Sequence, residues 1–315
     1  MKAMRMLAIV ALLVGLISEP AQEQTRRPRT MENQHRPPDA PAVEVANVLF
    51  RYSPQLAILI VRLRGTLLAS KGHAVASFND PASFVIGIEA AEMRITADQL
   101  SALMNTRLTS SPRAQVKDVR IAVSGDHLKI DGTMKKGLHV PFEALADVGL
   151  GGNNRIRIRV RQVSVAKVPL KGALAALGLS MADLVSQKGL KGMSVEGDSF
   201  LVDPRTAFPP PQIVASLTDA RVQGDGIALK FGQGAPKLGM GEQGNYIALR
   251  GGRIQYGREE MIDSDLTMTD STPGDPFEFN LPQYWSQMVA GSIKVTPSKA
   301  LRVLAPDYSK IAKSQ

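Results

Sequence analysis

Apolar and polar residues alternate along much of the chain, and Gly-Asp pairs interrupt the alternation at 125–126, 197–198 and 224–225. Glycine supplies the positive φ at the first position of a type II′ turn, so each pair predicts a two-residue hairpin. Around the first pair, VRIAV alternates into the turn and His127-Leu128-Lys129-Ile130-Asp131 alternates out of it. Leu128 and Ile130 then share one face, and His127, Lys129 and Asp131 the other. The third hairpin puts Ile227, Leu229 and Phe231 on one face. The pairs are unequally spaced, which excludes a solenoid repeat.

Further strands are expected at about 57–68, 82–90, 138–144, 155–165, 245–250 and 261–269. Helical periodicity is rarer. Thr96-Ala97-Asp98-Gln99 is a capping box, followed by a stripe of Leu100, Leu103, Met104 and Leu108. A second, more apolar helix is expected at about 170–186, where Leu170, Ala173, Leu174, Leu177, Met181, Leu184 and Val185 cover a broad face. Gly178 interrupts it, and Ser180 with Asp183 offers a restart, so a kink or two short helices are expected. Pro209-Pro210-Pro211 marks a rigid extended connection. The fold class is α+β, predominantly antiparallel β: a long curved sheet or split barrel wrapping one or two apolar helices.

The ends of the pattern set the domain limits. Lys2 and Arg5 precede the apolar run MLAIVALLVGLI, which reads as the core of a signal peptide over residues 1–20. Twelve helical residues reach about 18 Å, short of a bilayer core of roughly 30 Å. Residues 21–43 are polar and proline-rich, without apolar periodicity, and read as a disordered tether. Residues 44–315 then form a single β-rich domain, with the glycine-rich stretch 232–244 as its best candidate seam. The expected location is the periplasm or cell envelope.

Composition removes whole classes of chemistry. The 315 residues include no cysteine, which excludes disulfides, thiolate metal sites and cysteine nucleophiles. The 38 basic and 29 acidic residues give a formal charge of +9. Residues 1–43 hold six basic and four acidic residues, so 44–315 carries 32 minus 25, or +7.

Gly239-Met240-Gly241-Glu242-Gln243-Gly244 matches GxGxxG, but a strand-like NYIAL follows it where a dinucleotide site needs a helix. No Walker A loop, GxSxG elbow or HExxH helix occurs. Asp263, Asp265, Thr267 and Thr269 alternate with Ile262, Leu266 and Met268, which reads as the polar outer face of a strand rather than a calcium loop. His127 and His139 fall on polar faces with no serine–acid arrangement beside them. No catalytic residue, metal ligand or cofactor is assigned.

One strand concentrates charge. Arg155, Arg157, Arg159 and Arg161 alternate with Ile156, Ile158 and Val160. Guanidinium groups about 6.6–7 Å apart on one face repel unless acids, anions or solvent screen them. The stripe is read either as a headgroup-binding rim for anionic phospholipid or as a solvated face with cross-strand acidic partners, such as the Asp263/Asp265 strand. Past Arg161 the parity inverts, with Val163 and Val165 taking the arginine positions, which implies a bulge or a change of environment. Nucleic acid is a poor partner: aromatic residues are 5% of the chain, too few for base-stacking platforms.

The run Val116–Phe231 resembles the LmeA-like phospholipid-binding family of the tubular lipid-binding (TULIP-like) superfamily. The resemblance rests on VKDVRIAVSGDHLKIDGTM, RIRVRQVSVAKVPLKGALAALGL, VEGDSFLVDP and LTDARVQGDGIALKF. It implies a strongly curved sheet wrapped around a helix, with acyl chains held between them. Leu170, Leu174, Leu177, Met181 and Leu184 would line that groove. The tail, with NYIALRGGRIQYG and DPFEFNLPQYW, resembles uncharacterised exported bacterial proteins, which implies no activity. The expected function is lipid binding or transfer outside the cytoplasm, with an anionic phospholipid or membrane surface as partner. The alternatives are an envelope assembly protein that docks a protein partner and, ranked lower, an exported hydrolase with a dispersed site.

Overall fold

The computed structural model describes residues 37–53, 56–109, 116–136, 138–165, 168–169, 192–239 and 244–312. The expected signal peptide (1–20), most of the expected tether and the whole of the expected 170–186 helix, with Leu170, Leu174, Leu177, Met181 and Leu184, lie outside the described residues, as do 240–243 of the GxGxxG stretch.

In chain order the strands begin with β1 (Ala42–Ser53), β2 (Leu56–Ala69), β3 (Ala76–Ser77) and β4 (Phe84–Thr96), which leads into helix α1 (Ala97–Thr109). Next come β5 (Val116–Ser124), β6 (His127–Lys136), β7 (Leu138–Gly151), β8 (Arg155–Val165), β9 (Val168–Pro169), β10 (Met193–Glu196) and β11 (Ser199–Val202). A short helix α2 (Pro204–Ala207) precedes β12 (Gln212–Val214), β13 (Leu217–Gln223) and β14 (Gly226–Gly232). The last part holds β15 (Tyr246–Arg250), β16 (Arg253–Tyr256), β17 (Glu259–Ile262), β18 (Asp265–Asp270), β19 (Phe277–Asn280), helix α3 (Tyr284–Ala290), β20 (Ser292–Val295), β21 (Leu301–Ala305) and helix α4 (Tyr308–Ala312).

The structure is mostly antiparallel β with a few helices, and its sheets are open rather than closed into a barrel. Instead of one long sheet, the described strands form three. The main sheet runs β13-β14-β4-β2-β1-β15-β18-β21-β20, with β12 added to β4 and β19 to β1. A second sheet runs β10-β11-β8-β7-β6-β5, with β9 on β8, and a small third one joins β17, β16 and β3. One hydrophobic core spans them, from Val48, Leu249, Met268 and Phe277 in the main sheet to Leu128 and Ile156 in the second.

All three Gly-Asp pairs form the expected hairpins. Ser124 pairs with His127, Glu196 with Ser199 and Gln223 with Gly226, and Gly125, Gly197 and Gly224 have φ of 61°, 59° and 66°. The capping box is present as well. Gln99 N–H donates to Thr96 Oγ1 at 3.2 Å, and Thr96 N–H donates to Gln99 Oε1 at 3.1 Å.

Two expectations need correction. The tether stops short of 43, because Ala40 is buried and β1 begins at Ala42. Strand β1 also bends. Asn47 takes a left-handed φ of 48°, which Asn tolerates better than other side-chain-bearing residues. Ala42–Ala46 pair with β15 and Val48–Arg51 with β19, so the sheet forks there.

The expected strand 261–269 is two strands, broken at Asp263, whose φ is 52°. Its expected solvent face is covered in part: Thr267 is buried and accepts from Arg250 Nη2 at 3.0 Å, while the half-exposed Asp265 meets Arg250 and Arg302. The polar face of β18 is therefore partly covered, with Thr267 buried and Asp265 and Thr269 half-exposed. Finally, the 232–244 stretch joins β14 and β15, two strands of the same sheet.

Candidate functional site

The second sheet and α1 enclose an apolar pocket of about 160 Å³. Strand alternation builds its floor. Ile156, Ile158 and Val160 of β8, Leu128 and Ile130 of β6 and Ala144 of β7 point to one side. Helix α1 supplies the facing wall with Leu100, Leu103 and Met104, three residues of the sequence-derived stripe. Every described lining residue is apolar, so among the described residues the lining offers hydrocarbon contact and no acid, base or metal ligand.

Two polar residues on α1 hold that wall in place. Strand β5 ends the sheet, and its register slips between Lys117 and Arg120, leaving backbone groups there without a strand partner. Asn105 takes up both groups of Val119: its Nδ2 donates to the carbonyl at 2.7 Å, and the Val119 N–H donates to its Oδ1 at 2.9 Å. The Ile121 N–H donates to Ser101 Oγ at 2.8 Å. Ser101 and Asn105 are one helical turn apart, and Val119 and Ile121 are two strand residues apart. Both spacings are about 5–7 Å, so the helix face and strand edge match. The sequence signal for this clamp is two polar residues at i and i+4 beside the apolar stripe, a spacing that by itself does not distinguish it from a solvated helix face.

On the neighbouring strand, Gly132 pairs with Phe142, another lining residue. A Cβ at Gly132 would stand 2.8 Å from the Phe142 ring, so the glycine is what lets that ring lie across the sheet.

Val163 also lines the pocket, three residues after Val160. Leu145 pairs with Gln162 and Ala146 with Val160, so Arg161 is the extra residue of a bulge. The parity change expected past Arg161 has this cause.

The arginine stripe stands on the opposite face of β8 from the pocket. Its partners differ from the Asp263/Asp265 strand suggested by sequence. Arg155 Nη1 lies 3.2 Å from Glu196 and Arg159 Nε 3.0 Å from Asp198, both on or beside the β10–β11 hairpin, and Arg161 pairs with Asp147 of β7. Arg157 has no acidic partner among the described residues.

The hydrogen bond from Arg159 holds the Asp198 carboxyl below its usual range. Burial alone would raise Asp147, but hydrogen bonds from Arg161 and His127 outweigh it and hold it low. His127 Nδ1 lies 2.7 Å from Asp147, and Lys129 Nζ 2.8 Å from Glu143. This outer face is a ladder of exposed ion pairs, each contributing little to stability. It does not line the pocket, so the expected cationic rim is not formed by these side chains at the pocket wall.

A separate carboxylate group, Asp270, Asp275 and Asp307, brings three oxygens within 4.8 Å of one another. Protein donors already occupy it. Asp270 accepts from the Thr272 N–H at 2.7 Å and from Asn245 Nδ2 at 3.1 Å. Asp307 accepts from the Glu278 N–H at 2.8 Å and from Lys310 Nζ at 2.8 Å. The network ties α4 to the main sheet.

No protein-family model, curated protein or solved structure matches the chain.

Proposed function

We propose that this is an exported lipid-binding or lipid-transfer protein that holds acyl chain in the pocket between α1 and the second sheet. The observation that carries the reading is the wholly apolar lining of a cavity of about 160 Å³. Such a cavity gives water no hydrogen-bond partners, and apolar cavities of about 150 Å³ stay dry and take apolar guests. Burying acyl chain there contributes about 0.8 kcal/mol per methylene. The resemblance to the LmeA-like family carries the same expectation of acyl chain held between sheet and helix, although the helix it implies, at about 170–186, lies outside the described residues.

The arginines enter this reading on the outer surface, where Arg157 is the member of the stripe left to meet a phosphate. The test is native mass spectrometry of the purified chain before and after exposure to phospholipid vesicles. Bound lipid is expected in the wild type and lost in Ala144→Phe, which fills the pocket from its floor. Repeatedly empty wild-type spectra with no uptake from vesicles would sink the reading.

A further inference from the structure

Large apolar side chains are unevenly exposed. Trp285 (53%), Val289 (67%), Ile293 (49%) and Val295 (66%) all fall within eleven residues of chain, on α3 and the strand that follows it. Trp285 and Val289 are one turn apart on α3, and Ile293 and Val295 share one face of β20, the exposed strand that follows α3.

The inner side of α3 is fixed. Gln287 is fully buried, with its Oε1 accepting from the Asn280 N–H at 2.8 Å and its Nε2 donating to the Glu278 and Pro306 carbonyls at 2.8 and 2.9 Å. Tyr284 OH accepts from the Gly257 N–H at 3.0 Å, and Met288 is buried. The exposed side is thus held rigidly outward by polar clamps on the buried side. Hydrophobic residues shown this way mark an interaction surface.

Charge identifies the partner. Between Glu278 and Asp307 the chain has no acid, but it has Lys294, Lys299 and Arg302. Arg302 is paired with Asp265, whereas Lys294 and Lys299 are exposed, on the edge strand and at the β20–β21 turn. The hairpin beside Trp285 carries Arg258 and Glu259, which offset one another. Indole rings favour the polar–apolar boundary of a bilayer, aliphatic side chains enter it, and lysines are drawn to anionic headgroups. A second copy is the poorer occupant, because β20 self-pairing would bring Lys294 of each copy together on a strand edge.

We infer that α3 and β20 form a docking surface for an anionic lipid bilayer, with Trp285 seated at the interface. The inference is independent of the pocket: a bilayer can be bound here whether or not a lipid is held between α1 and the second sheet.

Trp285 is the single tryptophan of the chain, so its emission reports this surface directly. That matters because the apolar run near residue 1 offers a second way to reach a vesicle. The full chain is titrated with phosphatidylcholine vesicles containing and lacking phosphatidylglycerol. A blue shift with the anionic vesicles, and quenching by lipids brominated on the acyl chain, are expected. In Lys294→Gln/Lys299→Gln the apparent affinity should fall roughly tenfold or more, less so at high salt. In Val289→Asp/Ile293→Asp the shift should vanish with an unchanged circular dichroism spectrum.

An unshifted wild-type emission in excess anionic lipid overturns the inference. So does a concentration-dependent dimer, abolished by the Val289→Asp/Ile293→Asp change, that forms without vesicles. Ala144→Phe should leave the shift intact, so failure of docking and failure of pocket binding are read separately.

Discussion

The two large sheets use the same strand chemistry to opposite ends. In the main sheet, Tyr246–Leu249 of β15 and Phe277–Asn280 of β19 are buried at every position, because elements cover both faces. In the second sheet, β8 alternates up to its bulge at Arg161, with Ile156 buried and Arg157 exposed, and one face looks into a pocket rather than onto a packed layer. The first sheet is a core, the second a wall with one side left for hydrocarbon. The difference lies in what packs against each sheet. Glu278 and Thr267 are tolerated inside the main sheet because each finds polar partners there.

The sharpest way to break this comparison is truncation on each side. Phe277→Ala leaves a void in a closed core and should cost about 3–5 kcal/mol in denaturant unfolding. Asn105→Ala removes the clamp on Val119 and leaves two backbone groups short of partners, so a loss of about 1–3 kcal/mol is expected. It should also raise hydrogen exchange at Val119. By contrast, Leu103→Ala in the pocket wall should cost only about 1 kcal/mol, since that side chain already faces open volume. A Leu103 cost equal to that at Phe277 would mean the pocket is packed like the core.

Acid sharpens the same contrast. Burial works to raise the Glu278 carboxyl, but the Ser309 N–H at 2.9 Å and Arg51 outweigh it and hold it below its usual range. A carboxyl lowered on folding adds stability above its unfolded pKa of about 4.3, and loses it as pH falls through the folded value. Amide exchange in β19 and α4 should therefore rise below about pH 4. The smallest effect is expected at the outer ladder. Arg157→Ala/Arg159→Ala should change stability by less than about 1 kcal/mol, and weaken anionic-vesicle binding less than Val289→Asp/Ile293→Asp.

Much of the second sheet was legible. The turns at Gly125-Asp126 and Gly197-Asp198, the division of β8 into an isoleucine face and an arginine face, and the Thr96–Gln99 cap and Leu100/Leu103/Met104 stripe of the helix beside it all follow from local spacing. The ladder of partners did not follow. Glu196, Asp198 and Asp147 lie 14 to 41 residues from the arginines they meet, and nothing local distinguishes them from Asp263 or Asp265. The main sheet was harder. Strand β1 begins in a proline-rich stretch and bends at Asn47, and the polar face of β18 is half covered, so alternation there misreports exposure.

By itself, the sequence determined that this is a β-rich protein with hairpins at three Gly-Asp pairs, one capped apolar helix and one amphipathic arginine strand. Those properties depend on neighbours within a turn or a few residues, where backbone sterics and side-chain period act. Only the tertiary structure decided which apolar faces meet each other and which meet empty space. It placed the arginines away from the pocket, Thr267 inside the sheet and Trp285 outside it. Burial and ion pairing at those positions depend on strands far apart in the chain, and residue type alone does not specify them.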